Sequence, residues 1–377
     1  MKIIYTAYSI IPSRSANSIH VMKMCQAFVE NGHEVVLLAP DNKDEYEKNI
    51  DNVFKFYGVD ECFKIKKIPI VNNKFRNIVN AFYLMKNYVV EKPDLVFGRD
   101  LFSCAISTFF GYKTIFESHS PYEEYGGKSK FLLDLMFKRK AFKKLVVISN
   151  ALKKMYTKKN IYKCDNIIVA HDGADEVLDR ENKIKLLSDN SSLNIGYIGH
   201  LYQGRGIDLI ISIANKLQKH NFHIVGGTEE DIAFWKTELR KYEISNVYFY
   251  GYKTPQETIQ YRNSFDILLA PYAKEVKVQG NVGNTSAYMS PLKIFEYMSH
   301  KKPIVTSDLP VLREVLSESN SILAKAESTE SWIKAIKNLE NEEIREVIAN
   351  KAYSDFIENY TWKKRAENII KEFNNEK

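Results

Sequence analysis

The sequence lacks the patterns that would mark a disulfide-bonded, zinc-binding or membrane-spanning protein. Its four cysteines, Cys25, Cys62, Cys104 and Cys164, are far apart and form no C-x-x-C pair. No histidine stands beside them at metal-ligand spacing, so neither a disulfide framework nor a zinc site is predicted. No apolar run reaches the length of a membrane-spanning helix, and the first one is too short for a signal peptide. A soluble or peripheral protein of the cytoplasm is expected.

Motifs for several common reactions are also missing. No G-x-G-x-x-G or G-x-x-x-x-G-K-[ST] loop occurs, which argues against hydride-transfer cofactors and P-loop phosphoryl transfer. No G-x-S-x-G elbow is present. No D-x-D pair is found either, so chemistry without a metal or other cofactor is predicted. No helix-turn-helix or RNA-binding signature occurs, and nucleic acid is not expected as a partner.

Positive charge is concentrated in one segment. The formal net charge is +7, and residues 128–163 contain twelve Lys or Arg but a single acid, Asp134. Within this segment, KFLLDLMFKRKAFKKLVV (130–147) places Leu, Met and Phe at helical spacing among basic residues. Such a pattern can bind an anionic membrane surface. A basic helix that packs on its own domain and faces water fits equally well.

Apolar runs of strand length alternate with amphipathic helical stretches along nearly the whole chain. This alternation predicts parallel sheets covered by helices on both faces. A polar, irregular stretch at 172–192 interrupts it, and 377 residues are enough for two domains. We therefore predict an α/β protein with two Rossmann-like, doubly wound domains, over residues 1–180 and 190–358. The end of the chain is predicted to be almost purely helical.

Ligands of doubly wound domains bind beside the carboxyl ends of the strands, so the loops that follow strands are the candidate sites. The loop after the first predicted strand contains Ser15, Asn17 and Ser18, which are good N-cap residues. The N–H groups and positive dipole of a helix that starts there suit a phosphate or an acceptor hydroxyl. Ordinary capping explains the same residues without a ligand.

The loop after the strand NIGYIG (194–199) reads GHLYQGRG. Gly199, Gly204 and Gly206 leave its backbone bare, and Arg205 stands at the start of the next helix. A cation is unfavourable there, where the helix dipole is already positive, unless an anion lies between them. We interpret Arg205 as part of a phosphate site; an arginine that points to water is the alternative.

A third segment, SPLKIFEYMSHKKPIV (290–305), places a carboxylate on a short helix ahead of a strand. Ser290 is predicted as the N-cap and Pro291 as the first helical residue. Glu296 lies off the apolar face of this helix. A surface ion pair with Lys293, worth about 0.2–0.5 kcal/mol, is one interpretation. The other, which the topology favours, is a carboxylate that accepts hydrogen bonds from a ribose diol.

Taken together, these segments resemble the retaining glycosyltransferases of family 4, which have the GT-B fold. The resemblance covers nearly the whole chain, and its segments include GHEVVLLAP, ESHSPYEE, LVVISNALKK, IVAHDGAD, GYIGHLYQGRGIDLI and SPLKIFEYMSHKKPIVTSDLPVLREVL. It implies that the C-terminal domain binds a sugar nucleotide and that the N-terminal domain binds the acceptor across a cleft. The final helix, over about residues 361–377, is expected to cross back to the first domain.

The resemblance also implies roles for particular residues. A basic pair holds the diphosphate in this family, and the matching positions are His200 and Arg205. At the position of His200 the family usually has Arg. Glu296 matches the second acid of the family's Glu-x7-Glu motif, while Tyr288 occupies the first position. His119 matches the histidine near the transferring sugar. The other expected contacts are Gly199, Met289, Ser290, Pro291 and Leu292 for the donor, Tyr252 near the nucleobase, and Arg14, Ser15, Ala16 and Asn17 in the first loop.

The resulting prediction is a retaining glycosyltransferase for cell-surface polysaccharides such as capsule or lipopolysaccharide. It would move a sugar from a UDP- or GDP-sugar to a saccharide or lipid-linked acceptor, with His119, Arg205 and Glu296 as the catalytic residues. It would work in the cytoplasm, with the inner face of the cell membrane as a docking surface. A sugar-nucleotide epimerase of the same fold and a catalytically silent nucleotide-sugar-binding partner are the alternatives.

Overall fold

The computed structural model contains two compact units. Unit 1 comprises Met1–Asp172 with Trp362–Lys377, and unit 2 comprises Gly173–Thr361. The structure describes residues 1–42, 49–69, 76–158, 161–188, 192–201, 205–275 and 284–375.

Unit 1 is built on a parallel sheet of seven strands. The strands are β1 (Lys2–Thr6), β2 (Glu34–Asp41), β3 (Lys64–Pro69), β4 (Leu95–Gly98), β5 (Thr114–Ser118), β6 (Phe142–Val147) and β7 (Ile167–Val169). Their order in the sheet is β3-β2-β1-β4-β5-β6-β7. The helices between them are α1 (Ala16–Glu30), α2 (Val53–Tyr57), α3 (Arg76–Glu91), α4 (Leu101–Phe109), α5 (Gly127–Phe137) and α6 (Asn150–Lys158).

Unit 2 repeats the plan with six parallel strands. These are β8 (Asn194–Ile198), β9 (Asn221–Val225), β10 (Val247–Phe249), β11 (Ile267–Ala270), β12 (Ile304–Ser307) and β13 (Ile322–Ala324), in the order β10-β9-β8-β11-β12-β13. The helices are α7 (Ile207–Lys216), α8 (Glu229–Lys241), α9 (Pro255–Ser264), α10 (Leu292–Ser299), α11 (Thr329–Asn338) and α12 (Glu342–Asn359). The prediction of two Rossmann-like sheets is confirmed.

The strand order reverses beside β1 in unit 1 and beside β8 in unit 2, and such reversal points are where doubly wound sheets bind ligands. Close packing under β8 explains a glycine within the strand. A Cβ atom on Gly196 would lie 1.9 Å from the Phe265 ring, so only glycine fits. The loops that follow β8 and β11 are therefore held by a tightly packed sheet.

The basic segment 130–147 is divided between a helix and a strand. Helix α5 ends at Phe137, and β6 begins at Phe142. The β-branched and aliphatic end of the segment lies in the sheet between β5 and β7, where Leu145 and Val147 are fully buried. Its exposed basic residues lie instead in the turn between α5 and β6, at 138–140.

The chain returns to unit 1 for its last helix, α13 (Trp362–Asn374). Residues three, four and seven apart on α13 are buried against α1, as expected for an amphipathic helix: Trp362, Arg365, Ala366, Ile369, Ile370 and Phe373. One of them is charged. The Arg365 guanidinium donates hydrogen bonds to the carbonyls of His171 (2.9 Å) and Ala170 (3.1 Å) and to Glu117 Oε2 (3.3 Å).

We expect the Arg365→Met variant of α13 to destabilise unit 1 by about 3–5 kcal/mol, because it leaves the buried Glu117 carboxylate without its cation. Urea denaturation measures the change, and hydrogen exchange in α1 and α13 locates it. Lys363→Met, which removes an exposed charge from the same helix, is the control and should change stability by less than about 0.5 kcal/mol. Equal stability of the two variants would contradict a structural role for Arg365.

Candidate functional site

The loops after β8 and β9 in unit 2 approach each other at two glycines. Gly199, after β8, has φ +153°, and a Cβ atom there would lie 2.9 Å from Lys293 Nζ and 3.1 Å from the Tyr197 hydroxyl oxygen. A Cβ atom on Gly226, after β9, would lie 2.1 Å from the Gly199 carbonyl oxygen. Glycine at both positions therefore allows the two loops and Lys293 to pack closely together. Gly204, in the loop after β8, lies outside the described residues.

Three basic side chains gather around the loop after β8. Lys293 Nζ lies 3.7 Å from the centroid of the Tyr197 ring, and the Arg205 guanidinium lies 5.9 Å from that of the Tyr272 ring. Burial lowers the pKa of His200, and the charges of Arg205 and Lys293 lower it further. Burial also holds the pKa of Lys293 well below its ordinary value, with a further lowering by Arg205. Both shifts disfavour the charged forms, and an anion at the site would favour them.

Glu296 lies one helical turn beyond Lys293 on α10, but it pairs with a different cation. Arg262, on α9, donates from one terminal nitrogen to Glu296 Oε2 at 2.9 Å. The ion pair between Glu296 and Lys293, which was the alternative interpretation, is not formed. Arg262 is buried and the carboxylate is partly exposed, so the arginine orients the acid from beneath. Within the described part of the chain, nothing donates to Glu296 Oε1.

Arg262 is itself fixed by a buried network that the sequence analysis missed. Its Nε–H donates to His300 Nε2 (2.9 Å), so the ring hydrogen lies on Nδ1 and is donated to Asn263 Oδ1 (2.8 Å). Burial holds the pKa of His300 well below its ordinary value, and the Arg262 charge lowers it further. The ring therefore stays neutral and can accept from the arginine. Contacts between α9 and α10 leave no pattern in the sequence.

The loop that precedes α10 differs from its prediction at the helix start. Pro291 is the N-cap residue, no side chain caps the helix, and Leu292 is the first helical residue, so the assignment of Ser290 as N-cap is wrong. Tyr288, at the first position of the Glu-x7-Glu match, is buried. The Met289 N–H donates to the Thr285 carbonyl at 2.8 Å and is thus engaged within the loop.

Tyr252, expected near a nucleobase, follows β10 and is 37% exposed. A cavity of about 1120 Å³ lies beside α7 and the loop after β11, with Tyr272 and Gly206 in its wall. Its remaining wall carries one lysine, Lys274, and five acids, namely Asp208, Glu230, Asp231, Glu275 and Glu327. Phosphate groups therefore suit the basic side chains around Gly199 better than they suit this cavity.

In unit 1, the buried Glu117 carboxylate is contacted by nitrogen atoms of three side chains. Glu117 Oε1 lies 2.9 Å from His20 Nε2, 2.5 Å from His119 Nε2 and 3.2 Å from a terminal nitrogen of Arg365. The other ring nitrogen of His20 lies 3.0 Å from Asp172 Oδ1. Residues from β5, α1 and α13 thus form one ion-pair cluster, of which the sequence analysis found only His119.

The charges of this cluster determine the state of His119. Burial raises the pKa of the Glu117 carboxyl, but Arg365 and the two histidines lower it more, so it remains ionised. Burial lowers the pKa of His119 to about 4, with a further contribution from Arg99 after β4. His119 is therefore neutral at neutral pH and donates its Nε2–H to Glu117. Its Nδ1 is left as a hydrogen-bond acceptor on a partly exposed ring.

His20, Glu117 and His119 also place their possible ligand atoms within 4.8 Å of one another, as a metal site would require. The Arg365 guanidinium already contacts both oxygens of Glu117. A divalent cation would be repelled by this neighbour and would compete with it for the same carboxylate. The chemistry of the group fits an ion-pair cluster better than a metal centre.

The first loop of unit 1 is organised by serine hydroxyls. Ser15 is the N-cap of α1, and its Oγ accepts from the Ser18 N–H at 3.2 Å, as the sequence predicted. Ser15, Ser18 and the buried Ser13 also contact one another through their hydroxyls. Arg14, Ala16 and Asn17 are exposed beside them. This loop presents a capped helix start at the carboxyl end of β1.

Two Rossmann-like sheets with polar sites at their carboxyl ends are the architecture of the GT-B glycosyltransferases. One family model, Glycosyltransferase Family 4, matches residues 18–177, and another, Glycosyl transferases group 1, matches residues 192–342. Together they cover most of both units. The chain belongs to the glycosyltransferases of the family 4 type and is a transferase enzyme.

Similar proteins extend over the whole chain. An uncharacterised glycosyltransferase of Methanocaldococcus jannaschii is 25% identical over 98% of this chain and 97% of its own length. Among solved structures, a glycosyltransferase from Rickettsia africae has a TM-score of 0.76 at 13% identity, covering 99% of this chain and 97% of that one. Anabaena HepE, solved with UDP and glucose, has a TM-score of 0.72 at 12% identity and covers 100% of both chains.

We expect His119 to remain neutral through the pH range in which an ordinary histidine, with a pKa of about 6.5, titrates. The Arg99→Met variant should raise the pKa of His119 above its value of about 4, because it removes a positive charge that repels the imidazolium. NMR titration of the ring C–H signals measures this, with His119→Gln identifying the signal.

The control is Lys113→Met, which also removes one positive charge. Lys113 is exposed at the opposite end of β5, so its loss should leave the His119 titration unchanged. Equal midpoints in the Arg99 and Lys113 variants would disprove the proposed electrostatic cause.

Proposed function

We propose that the protein is a retaining, metal-independent glycosyltransferase that uses a UDP- or GDP-sugar as donor and a saccharide or lipid-linked acceptor. The observation that carries the proposal is a group of three basic side chains, Lys293, Arg205 and His200, near Gly199. Glu296 lies one helical turn beyond Lys293 on α10. A nucleoside diphosphate offers the two features this site requires, a pyrophosphate and a ribose diol.

Arg205 is proposed to stabilise the leaving group. When the bond between the anomeric carbon and the diphosphate breaks, negative charge develops on the phosphate oxygens. A permanent cation beside that oxygen lowers the barrier, and the loss of one preorganised group of this kind costs about 10²–10³ in rate. The UDP bound to HepE supports a uridine nucleotide as the first donor to test.

Glu296 is proposed to hold the ribose. Its Oε2 is fixed by Arg262 at 2.9 Å, and Oε1 remains available to accept from a hydroxyl group. Because α9 supplies the buried arginine, the carboxylate is oriented before a ligand arrives. Preorganisation of this kind strengthens binding, since less motion must be frozen.

His119 is proposed to accept a hydrogen bond from a hydroxyl of the transferring sugar through Nδ1. With a pKa of about 4 it is a poor proton donor at neutral pH. For a retaining reaction we propose that the acceptor oxygen attacks the anomeric carbon on the face from which the diphosphate leaves. The departing phosphate oxygen then takes the acceptor proton, so no enzyme nucleophile is needed.

The biological setting proposed is cell-surface polysaccharide synthesis on the cytoplasmic side of the membrane. No helix among the described residues is both long and apolar enough to cross a bilayer. The exposed turn of Lys138, Arg139 and Lys140 offers contiguous positive charge to anionic lipid headgroups. Lipid-linked acceptors would be presented at such a surface.

Glu296→Ala and Arg205→Ala are each expected to remove most sugar transfer from a UDP- or GDP-sugar, with Arg205→Ala lowering the rate by about 10²–10³. The assay follows nucleoside diphosphate release and the anomeric configuration of the product, with chelator present. A retained rate in either variant would remove that residue from the site. Release of an epimerised sugar without acceptor would favour the epimerase alternative, and no turnover over hours would favour the silent binder.

The matched controls for these variants are Glu346→Ala and Arg240→Ala, which remove the same charges from exposed helix positions of unit 2. Both should keep the wild-type rate. Loss of activity in the controls would show that the assay reports general charge or folding effects.

Replacement of Lys138, Arg139 and Lys140 by glutamine should reduce binding to anionic vesicles by about 1 kcal/mol per charge removed. Vesicle flotation at two salt concentrations measures it. The control replaces the exposed Lys236, Arg240 and Lys241 on α8 in the same way. Equal losses in the two triple variants would mean that net charge, and not this turn, directs binding.

A further inference from the structure

We infer that Lys293 is a third basic residue of the diphosphate site and that its amino group takes up a proton when the diphosphate binds. The inference rests on the proposed function and adds a residue to its site. From the sequence alone, Lys293 is interpreted only as a surface partner of Glu296.

The position of Lys293 is the first argument. Its Nζ stands above the Gly199 backbone, since a Cβ atom on that glycine would lie only 2.9 Å away. Lys293 also belongs to the first turn of α10, at the positive end of the helix dipole, which favours an anion. The amino group therefore lies at the carboxyl end of β8, where the strand order of unit 2 reverses and where ligands of such sheets bind.

The second argument is the lack of an acidic partner. Among the residues that the structure describes, no carboxylate forms an ion pair with Lys293, although Glu296 is on the next turn of the same helix. Glu296 is instead held by Arg262 at 2.9 Å. The closest favourable contacts of the amino group are the faces of Tyr197 (3.7 Å) and Tyr272 (5.6 Å), which attract a cation weakly.

The third argument is electrostatic. Burial lowers the pKa of Lys293 well below its ordinary value, Arg205 lowers it further, and Glu296 compensates only in part. His200, whose own pKa is lowered, faces the same group. A diphosphate placed against these side chains acts in the opposite direction and raises the pKa of the amino group. It therefore favours the ammonium form, which donates to a phosphate oxygen.

Binding of UDP and of uridine to wild type and to Lys293→Met separates the phosphate contribution from the nucleoside. A charge-assisted hydrogen bond corresponds to a loss of about tenfold to a hundredfold in UDP affinity. Uridine, which has no phosphate, should bind both proteins equally. Lys302→Met is the control, because Lys302 is also partly buried with a pKa lowered by burial, but it precedes β12 at the opposite end of the sheet.

Calorimetry in two buffers of different ionisation heat measures the proton taken up on UDP binding at alkaline pH. Wild type and Lys302→Met should take up a proton, and Lys293→Met should take up less. Absence of uptake by wild type would overturn the proton linkage. Equal UDP affinity of wild type and Lys293→Met would overturn the assigned contact.

The outcomes also separate this inference from the proposed function. If wild type binds UDP and the Lys293 variant binds it unchanged, only the role of Lys293 fails. If wild type binds no nucleoside diphosphate, the proposed function fails with it. A variant that loses UDP and uridine affinity in parallel would show a folding defect and would overturn the assignment of Lys293 to the phosphates.

Discussion

Burial of basic side chains beside Gly199 is the physical constraint on the candidate site of unit 2. Burial lowers the pKa of Lys293 and of His200, and the charge of Arg205 lowers both further. Gly199 and Gly226 are packed too closely to admit side chains, and Lys293 Nζ lies against Gly199. An anion bound here, such as the proposed diphosphate, would favour the charged forms of both groups.

In unit 1 the buried charge is negative, and it is surrounded by nitrogen groups of the same unit. Glu117 is surrounded by Arg365, His20 and His119, and its negative charge is compensated within the protein. That compensation also fixes α13 to the sheet and leaves His119 neutral with one free acceptor atom. The charges of the cluster in unit 1 face one another, whereas among the described residues no carboxylate forms an ion pair with Lys293. This difference supports the assignment of phosphate binding to unit 2.

The architecture was predictable from the sequence because parallel sheets leave a repeating pattern of apolar strands and amphipathic helices. These loops could also be predicted from the sequence, because the glycines after β8 and the serine N-cap of α1 affect only the backbone next to them. The Arg262–Glu296 pair was not, because it joins helices α9 and α10 that are distant in sequence. The Arg365–Glu117 pair was equally hidden, because it joins α13 to β5 across 248 residues of sequence.

The basic residues around Gly199 differ in how firmly they hold their charge, and this difference has a consequence for ligand binding. Arg205 is charged at any physiological pH. His200 stands where the resembling family usually has arginine, and burial together with the charges of Arg205 and Lys293 lowers its pKa. Burial and Arg205 lower the pKa of Lys293 in the same way. The site thus combines one permanent charge with two groups whose charged forms a bound phosphate favours. Such an arrangement reduces the cost of holding three charges together, and the field acting on an anion becomes stronger when the anion binds.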